Sequence, residues 1–230
     1  MKTIGLLGGM SWESTANYYK AINEEVKKRL GGFHSAKVSL YSVDFAEIEQ
    51  CQKENRWDDT LSILIPAAQA TEMAGADVLL ICTNTMHKVA QQIENALSIP
   101  LLHIADATAE KLLADQKQKV GLLGTRFTME QDFYKGRLKD QFKIDVVTPN
   151  VQQREQVHRI IYEELCMCNI VPESKSIYLD IIQDLKNQGA EAVILGCTEI
   201  AMLVQPEDTD VPLYDTTLIH AQKAVDFALE

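Results

Sequence analysis

The sequence predicts an α/β protein built from two pseudo-symmetric, doubly wound parallel-sheet domains. Three observations predict it. Short apolar runs alternate with longer segments of helical period, the second half of the chain repeats the first, and small or polar loops follow the matching runs in both halves. Strand–helix alternation of this kind argues for a parallel sheet covered by helices on both faces.

In the first half, Lys2–Leu7 reads as a strand that opens into Gly8-Gly9. Trp12–Leu30 reads as a helix closed by Gly31-Gly32. Val38–Val43 alternates and is a strand, Asp58–Ala74 is a helix stopped at Gly75, and Val78–Cys82 is a continuous apolar run that fits a buried parallel strand. His87–Leu97 is a helix and Pro100–Ile104 a strand. In the second half, Lys119–Leu123, Ile144–Thr148, Ala192–Leu195 and Val211–Tyr214 are strands. Gln131–Phe142, Glu155–Leu165, Lys175–Asn187 and Leu218–Leu229 are helices.

The repeat is legible residue by residue. Ile4-Gly5-Leu6-Leu7-Gly8 matches Val120-Gly121-Leu122-Leu123-Gly124, and Leu79-Leu80-Ile81-Cys82-Thr83-Asn84 is answered by Val193-Ile194-Leu195-Gly196-Cys197-Thr198. Ile99-Pro100-Leu101 before Asp106 is answered by Val211-Pro212-Leu213 before Asp215. The offsets are 116, 114 and 112 residues, so the two copies are nearly in register. The expected domains are 1–114 together with 208–230, and 115–207, with the polar stretch Ala114–Lys119 as the linker. Ligands in open α/β sheets bind beyond the carboxyl ends of strands, so the active site is expected in the cleft between the two domains.

The chain has 230 residues, room for two domains of roughly 100 residues each. Its net charge of -11 argues against nucleic-acid and anionic-membrane partners, which need a basic footprint. No apolar run reaches the 18 or so residues of a membrane helix, and the N-terminal run is too short for a signal peptide. A cytoplasmic protein is expected, and its five cysteines should be free thiols. Cys166-Met167-Cys168 has no second ligand pair at zinc spacing, so no metal is expected.

Four loops carry the candidate chemistry: Gly8-Gly9-Met10-Ser11, Thr83-Asn84-Thr85, Gly124-Thr125 and Cys197-Thr198-Glu199. Each precedes a helix, and helix N-termini attract anions. Gly8-Gly9 lets backbone N–H groups approach a ligand, though it also suits a plain tight turn. The first loop lacks the G-x-G-x-x-G spacing of a dinucleotide site. Cys197 is open to two readings: a small buried hydrophobe, or a reactive thiol whose pKa is lowered at a helix N-terminus. Trp12 and Trp57 read as packing, and His87 as a helix-start residue with a possible support role for the Thr83 loop.

The opening Met1-Lys2-Thr3-Ile4-Gly5-Leu6-Leu7-Gly8-Gly9-Met10, the loop Thr83-Asn84-Thr85 and Gly196-Cys197-Thr198-Glu199 resemble the aspartate/glutamate racemase family, with most similarity to its branch specific for L-aspartate and L-glutamate. The resemblance implies an amino-acid substrate, no cofactor, no metal and a homodimer. In most of that family a cysteine precedes each of the Asn-Thr and Thr-Glu pairs, one thiol removing the α-proton while the other returns a proton from the far side. The second position matches as Cys197, whereas the first is Thr83, with Cys82 one residue early and expected to point into the sheet packing. Catalysis is therefore expected from Cys197, as base toward the L enantiomer, and from Thr83 on the opposite face. Met10, Ser11, Asn84, Thr85, Thr198 and Glu199 are expected to bind substrate, Glu199 through its α-ammonium group.

Some members of the family read a distal carboxylate with an arginine near Glu47–Gln52 and a lysine where Cys166 stands. Here Gln52, Arg56 and Arg159 are the candidate substitutes, and a broader substrate range is expected. Two other readings fit the loss of the first cysteine: a related decarboxylase or isomerase with one cysteine, and a non-catalytic amino-acid binding protein.

Overall fold

The computed structural model describes all 230 residues. Two four-stranded sheets form, each entirely parallel. The first contains β1 (Ile4–Gly8), β2 (Val38–Ser42), β3 (Val78–Ile81) and β4 (Leu101–Leu102), in the order β2-β1-β3-β4. The second contains β5 (Lys119–Gly124), β6 (Asp145–Val147), β7 (Val193–Gly196) and β8 (Leu213–Asp215), in the order β6-β5-β7-β8. The same order in both sheets is the structural form of the sequence repeat. Every residue of β1, β3 and β7 is buried, because a central parallel strand is covered on both faces.

Helices α1 (Trp12–Leu30), α2 (Phe45–Lys53), α3 (Leu61–Met73) and α4 (Ala90–Glu94) connect the first sheet. Helix α5 (Ile104–Ala114) leads to the second, whose connections are α6 (Arg126–Glu130), α7 (Asp132–Phe142), α8 (Val151–Glu163), α9 (Pro172–Asn187) and α10 (Ile200–Leu203). Helix α11 (Thr216–Leu229) ends the chain. None is long and apolar enough to cross a membrane.

Helix α1 shows how sequence becomes packing. Ser11 caps it by accepting from the Ser14 N–H, and Lys27, Lys28 and Arg29 in the last turn complement the helix dipole. Ser14, Tyr18, Ile22 and Val26 recur every four residues and are all buried. The last three pack with Ile4, Leu6, Val78, Leu80 and Cys82 of the sheet and with Ala221, Ala224, Val225 and Ala228 of α11. Burying an aliphatic side chain of this size stabilises by about 1.5–3 kcal/mol.

The chain divides into two compact units, Met1–Ile104 with Thr217–Glu230, and Ala105–Thr216. Segment 208–215, expected with the first domain, contains β8, which pairs with β7 of the second sheet. Residues 105–114, also expected with the first, form α5, which is tied into the second unit. Arg137 of α7 grips Asp106 through Nε and Nη2 at 2.5 and 2.7 Å, and Tyr214 donates to Asp115, just past the helix, at 2.7 Å. Thus β4 and β8 stay with their own sheets, while the helices that follow them, α5 and α11, are counted with the opposite units.

Helices α2 and α5 lie where no helix was expected, and the helices that follow the Gly124-Thr125 and Cys197-Thr198-Glu199 loops, α6 and α10, are short. Helix α2 carried a usable signal, the Asp44 N-cap followed at three residues by Glu47. The segment His87–Leu97, expected as one helix, starts instead inside a 3₁₀ turn over Thr85–Val89, and α4 covers only Ala90–Glu94.

Candidate active site

In each sheet the strand order reverses direction beside the first strand of the repeat, between β1 and β3 and between β5 and β7. Such switch points leave a crevice at the carboxyl ends of the strands. The four loops singled out from the sequence all start there.

In the first unit, Gly9 adopts φ 93°, and a Cβ on it would lie 2.2 Å from the Val43 carbonyl oxygen. Only glycine fits, and the turn it makes brings its N–H to Thr15 Oγ1 at 2.8 Å. Met10 and Ser11 follow, both buried, with Ser11 serving α1 as its cap. The neighbouring strand β3 is followed by Cys82, whose N–H donates to the Leu7 carbonyl at 2.9 Å. Cys82 is wholly buried in the apolar cluster under the sheet, as expected from strand alternation. Burial pushes its thiol far above the ordinary range.

Thr83 is partly exposed, whereas Asn84 and Thr85 are buried. The Thr83 carbonyl lies 2.8 Å from Nδ1 of His87. Gln52 of α2 is buried against the same segment, its Nε2 donating to Met86 Sδ at 3.0 Å. The first unit therefore gathers Met10, Ser11, Gln52, Thr83, Asn84 and Thr85 around the ends of β1 and β3.

The second unit holds Cys197, Thr198 and Glu199 directly after β7. Gly124 and Gly196 are opposite in register, and a Cβ on either would fall within 2.8 Å of a backbone oxygen of the neighbouring strand. Cys197 Sγ donates to Glu199 Oε2 at 2.9 Å, and Thr198 Oγ1 donates to the same oxygen at 2.7 Å. All three side chains are buried.

This environment reverses the pKa expected for Cys197. The helix that follows, α10, has only four residues, so its dipole is weak at the thiol. Burial pushes the thiol well above its ordinary value, and the Glu199 carboxylate and Cys166 push it further. Cys197 thus rests as a thiol whose proton is aimed at a carboxylate. Glu199, expected to hold an α-ammonium group, is engaged by Cys197 and Thr198.

Of the two arginines proposed for a distal carboxylate, only Arg56 is closely paired. Arg56 binds Glu54 and Asp59, and exposed Arg159 sits 4.0 Å from Glu163. Trp57 is buried and carries Lys88 at 3.9 Å over its ring, but Trp12 is 66 % exposed and does not pack as expected.

The family model for Asp/Glu/Hydantoin racemase matches residues 7–224. The chain belongs to that family. Within it, the chain is 54 % identical, over the full length of both, to a candidate Asp/Glu racemase from Yersinia pestis, with a TM-score of 0.93. An aspartate racemase homologue from Pyrococcus horikoshii is 36 % identical over the full length of both chains, with a TM-score of 0.87. The broad specificity amino-acid racemase of Bacillus subtilis is 23 % identical over 96 % of each chain. Family membership places this protein among racemase-type enzymes.

Proposed function

We propose that this racemase-family protein interconverts L- and D-glutamate and L- and D-aspartate without a cofactor. Cys197 acts as the base toward the L enantiomer and Thr83 works on the opposite face of the substrate. The observation that carries the reading is the buried Cys197–Glu199 pair, a thiol 2.9 Å from a carboxylate at a strand end.

The pair resolves the cost of ionising a buried thiol. Losing its proton to water would leave two adjacent negative charges in a dry site. Passing it to Glu199 creates a thiolate with no change in the pair's net charge. The thiolate then takes the α-proton of the L substrate and becomes a thiol, leaving a carbanion. Backbone N–H groups with Asn84, Thr85 and Thr198 stabilise the charge that spreads onto the α-carboxylate. Thr83 delivers a proton from the other side while taking one from water. The hydroxide so formed removes the proton left on the Cys197–Glu199 pair, which restores the starting state.

An alcohol has no route to an anion at neutral pH comparable to that of a thiol near pKa ~8.5. The two directions therefore differ in kcat, with a matching difference in KM, because enantiomers have equal free energy in water and the equilibrium stays at a one-to-one mixture. The pairing of Arg56 with Glu54 and Asp59 and the neutral Gln52 favour a range wider than one acidic amino acid. A broad-specificity relative in Bacillus subtilis supports that width. Membership of a family whose solved relatives include homologues of aspartate racemase supports an acidic amino acid as a principal substrate. We also propose a homodimer in the cytoplasm, with domain limits at 1–114 plus 208–230 and 115–207 shifted to those of the compact units.

The test is incubation with L-glutamate and L-aspartate in D₂O with no added cofactor. The α-proton is followed by NMR and the D isomer by chiral assay. Deuterium entry together with D product is expected. Binding without exchange would make the protein an amino-acid binder and overturn the reading.

A further inference from the structure

His87 is fixed in a single neutral tautomer by two groups with no choice of role. The Thr83 carbonyl only accepts, so Nδ1 at 2.8 Å carries the proton. The Ile104 N–H only donates, so Nε2 at 3.2 Å is bare. That N–H is the first of α5, one of the donors a helix leaves without an internal partner. His87 thus caps α5 with one nitrogen and holds the Thr83 loop with the other. Its ring is 3 % exposed and packed edge-on against His103 and His220, at centroid distances of 4.5 and 5.9 Å. His220 is itself locked, with Nε2 2.8 Å from the Leu102 carbonyl and Nδ1 2.8 Å from the Tyr18 hydroxyl.

The position of this cluster in the chain is telling. Ile104 is the last residue of the first unit before the chain leaves it, and His220 lies one turn after the chain returns at Thr217. The two helices counted with opposite units, α5 and α11, both start beside the cluster. We infer that His87 is a positioning residue for the reaction: it holds the Thr83 carbonyl and the start of α5 together, so that Thr83 is set by the point where the chain passes between units. Holding the carbonyl fixes the plane of the Thr83–Asn84 peptide, and with it the backbone from which the hydroxyl projects. This inference rests on the proposed role of Thr83.

Two substitutions separate the bonds. In His87→Asn the amide nitrogen falls near the place of Nδ1 and keeps the bond to the Thr83 carbonyl. In His87→Gln the amide oxygen reaches the place of Nε2 and keeps only the cap on α5. With L substrate in D₂O, exchange by Cys197 and formation of the D isomer are read separately. A small misplacement of a reacting group costs about 10–100-fold. The Gln variant is therefore expected to lose D-isomer formation by about tenfold or more while its exchange rate and KM stay within about threefold of wild type. The Asn variant is expected to restore D-isomer formation. Long-range ¹H–¹⁵N correlation of the wild type should show His87 protonated on Nδ1 and bare on Nε2.

A wild type that is active, with Asn and Gln variants losing exchange and D-isomer formation equally, would overturn the inference and leave the racemase reading standing. The opposite tautomer would do the same. A wild type that neither exchanges nor racemises would instead overturn the racemase reading on which the inference rests.

Discussion

The loops after β3 and β7 occupy the same place in two copies of one structural unit, yet they are built for different work. The β7 loop concentrates acid–base chemistry within three residues: a buried thiol, a hydroxyl and the carboxylate that receives a hydrogen bond from each. The β3 loop presents a partly exposed threonine, and His87, four residues on, is spent on the backbone. A repeat preserves the framework while each copy's chemistry diverges. Under the proposed function the β7 loop supplies the base and the β3 loop the hydroxyl that returns a proton from the other face.

Removing the chemistry of the β7 loop should have the largest effect. General acid–base groups contribute about 10²–10⁴-fold, so Cys197→Ser should lower α-proton exchange from L substrate by about 10³-fold or more. Retained exchange would show that the base lies elsewhere. Glu199→Gln comes next. It removes the proton acceptor and should lower kcat by about 10²-fold at neutral pH. It also removes a charge that holds the Cys197 proton on, so alkylation of that thiol should titrate at lower pH than in the wild type. A falling rate together with an easier thiol ionisation distinguishes a proton acceptor from a group that merely shapes the loop. An unchanged alkylation profile would contradict the pairing.

The smallest effect belongs to Cys82, the thiol next to Thr83 that strand alternation turns into the core. Cys82→Ala should cost about 1–2 kcal/mol of stability, as small core truncations do, and should leave racemisation within about twofold. It should also change how stability depends on pH. The folded thiol is held protonated by burial, while the unfolded thiol ionises near pH ~8.5. The stabilisation from keeping it neutral is complete below that pH and is lost progressively above it. The wild type should therefore lose stability more steeply than Cys82→Ala between about pH 8.5 and 10, measured by denaturant titration. Equal slopes would place Cys82 outside the core.

Much of this organisation was legible in the sequence because it depends on period and repetition. The strands from Ile4 to Gly8, Val78 to Ile81 and Val193 to Gly196 were marked by apolar continuity, and the loops after them by the repeat. That α5 is counted with the second unit was not legible. It is decided by contacts such as Arg137 with Asp106, made between residues far apart in the chain. The repeat did contain a clue for β8, since the Val211-Pro212-Leu213 run mirrors the one that forms β4. The sign of the Cys197 pKa shift escaped for a similar reason. A strand-to-helix turn suggests a helpful dipole, but the helix is one turn long and the side chain of Glu199 folds back toward the thiol. His87 was visible at four residues from Thr83, but only the position of Ile104 shows what its second nitrogen does.

The central claim is that proton removal from L substrate belongs to Cys197 and proton delivery on the far face to Thr83. It is tested most directly by Thr83→Ala incubated with L-glutamate in D₂O. The L substrate is expected to keep exchanging its α-proton at close to the wild-type rate while D-glutamate formation falls by about 10²-fold or more. Loss of exchange and of D-glutamate formation by the same factor would contradict it.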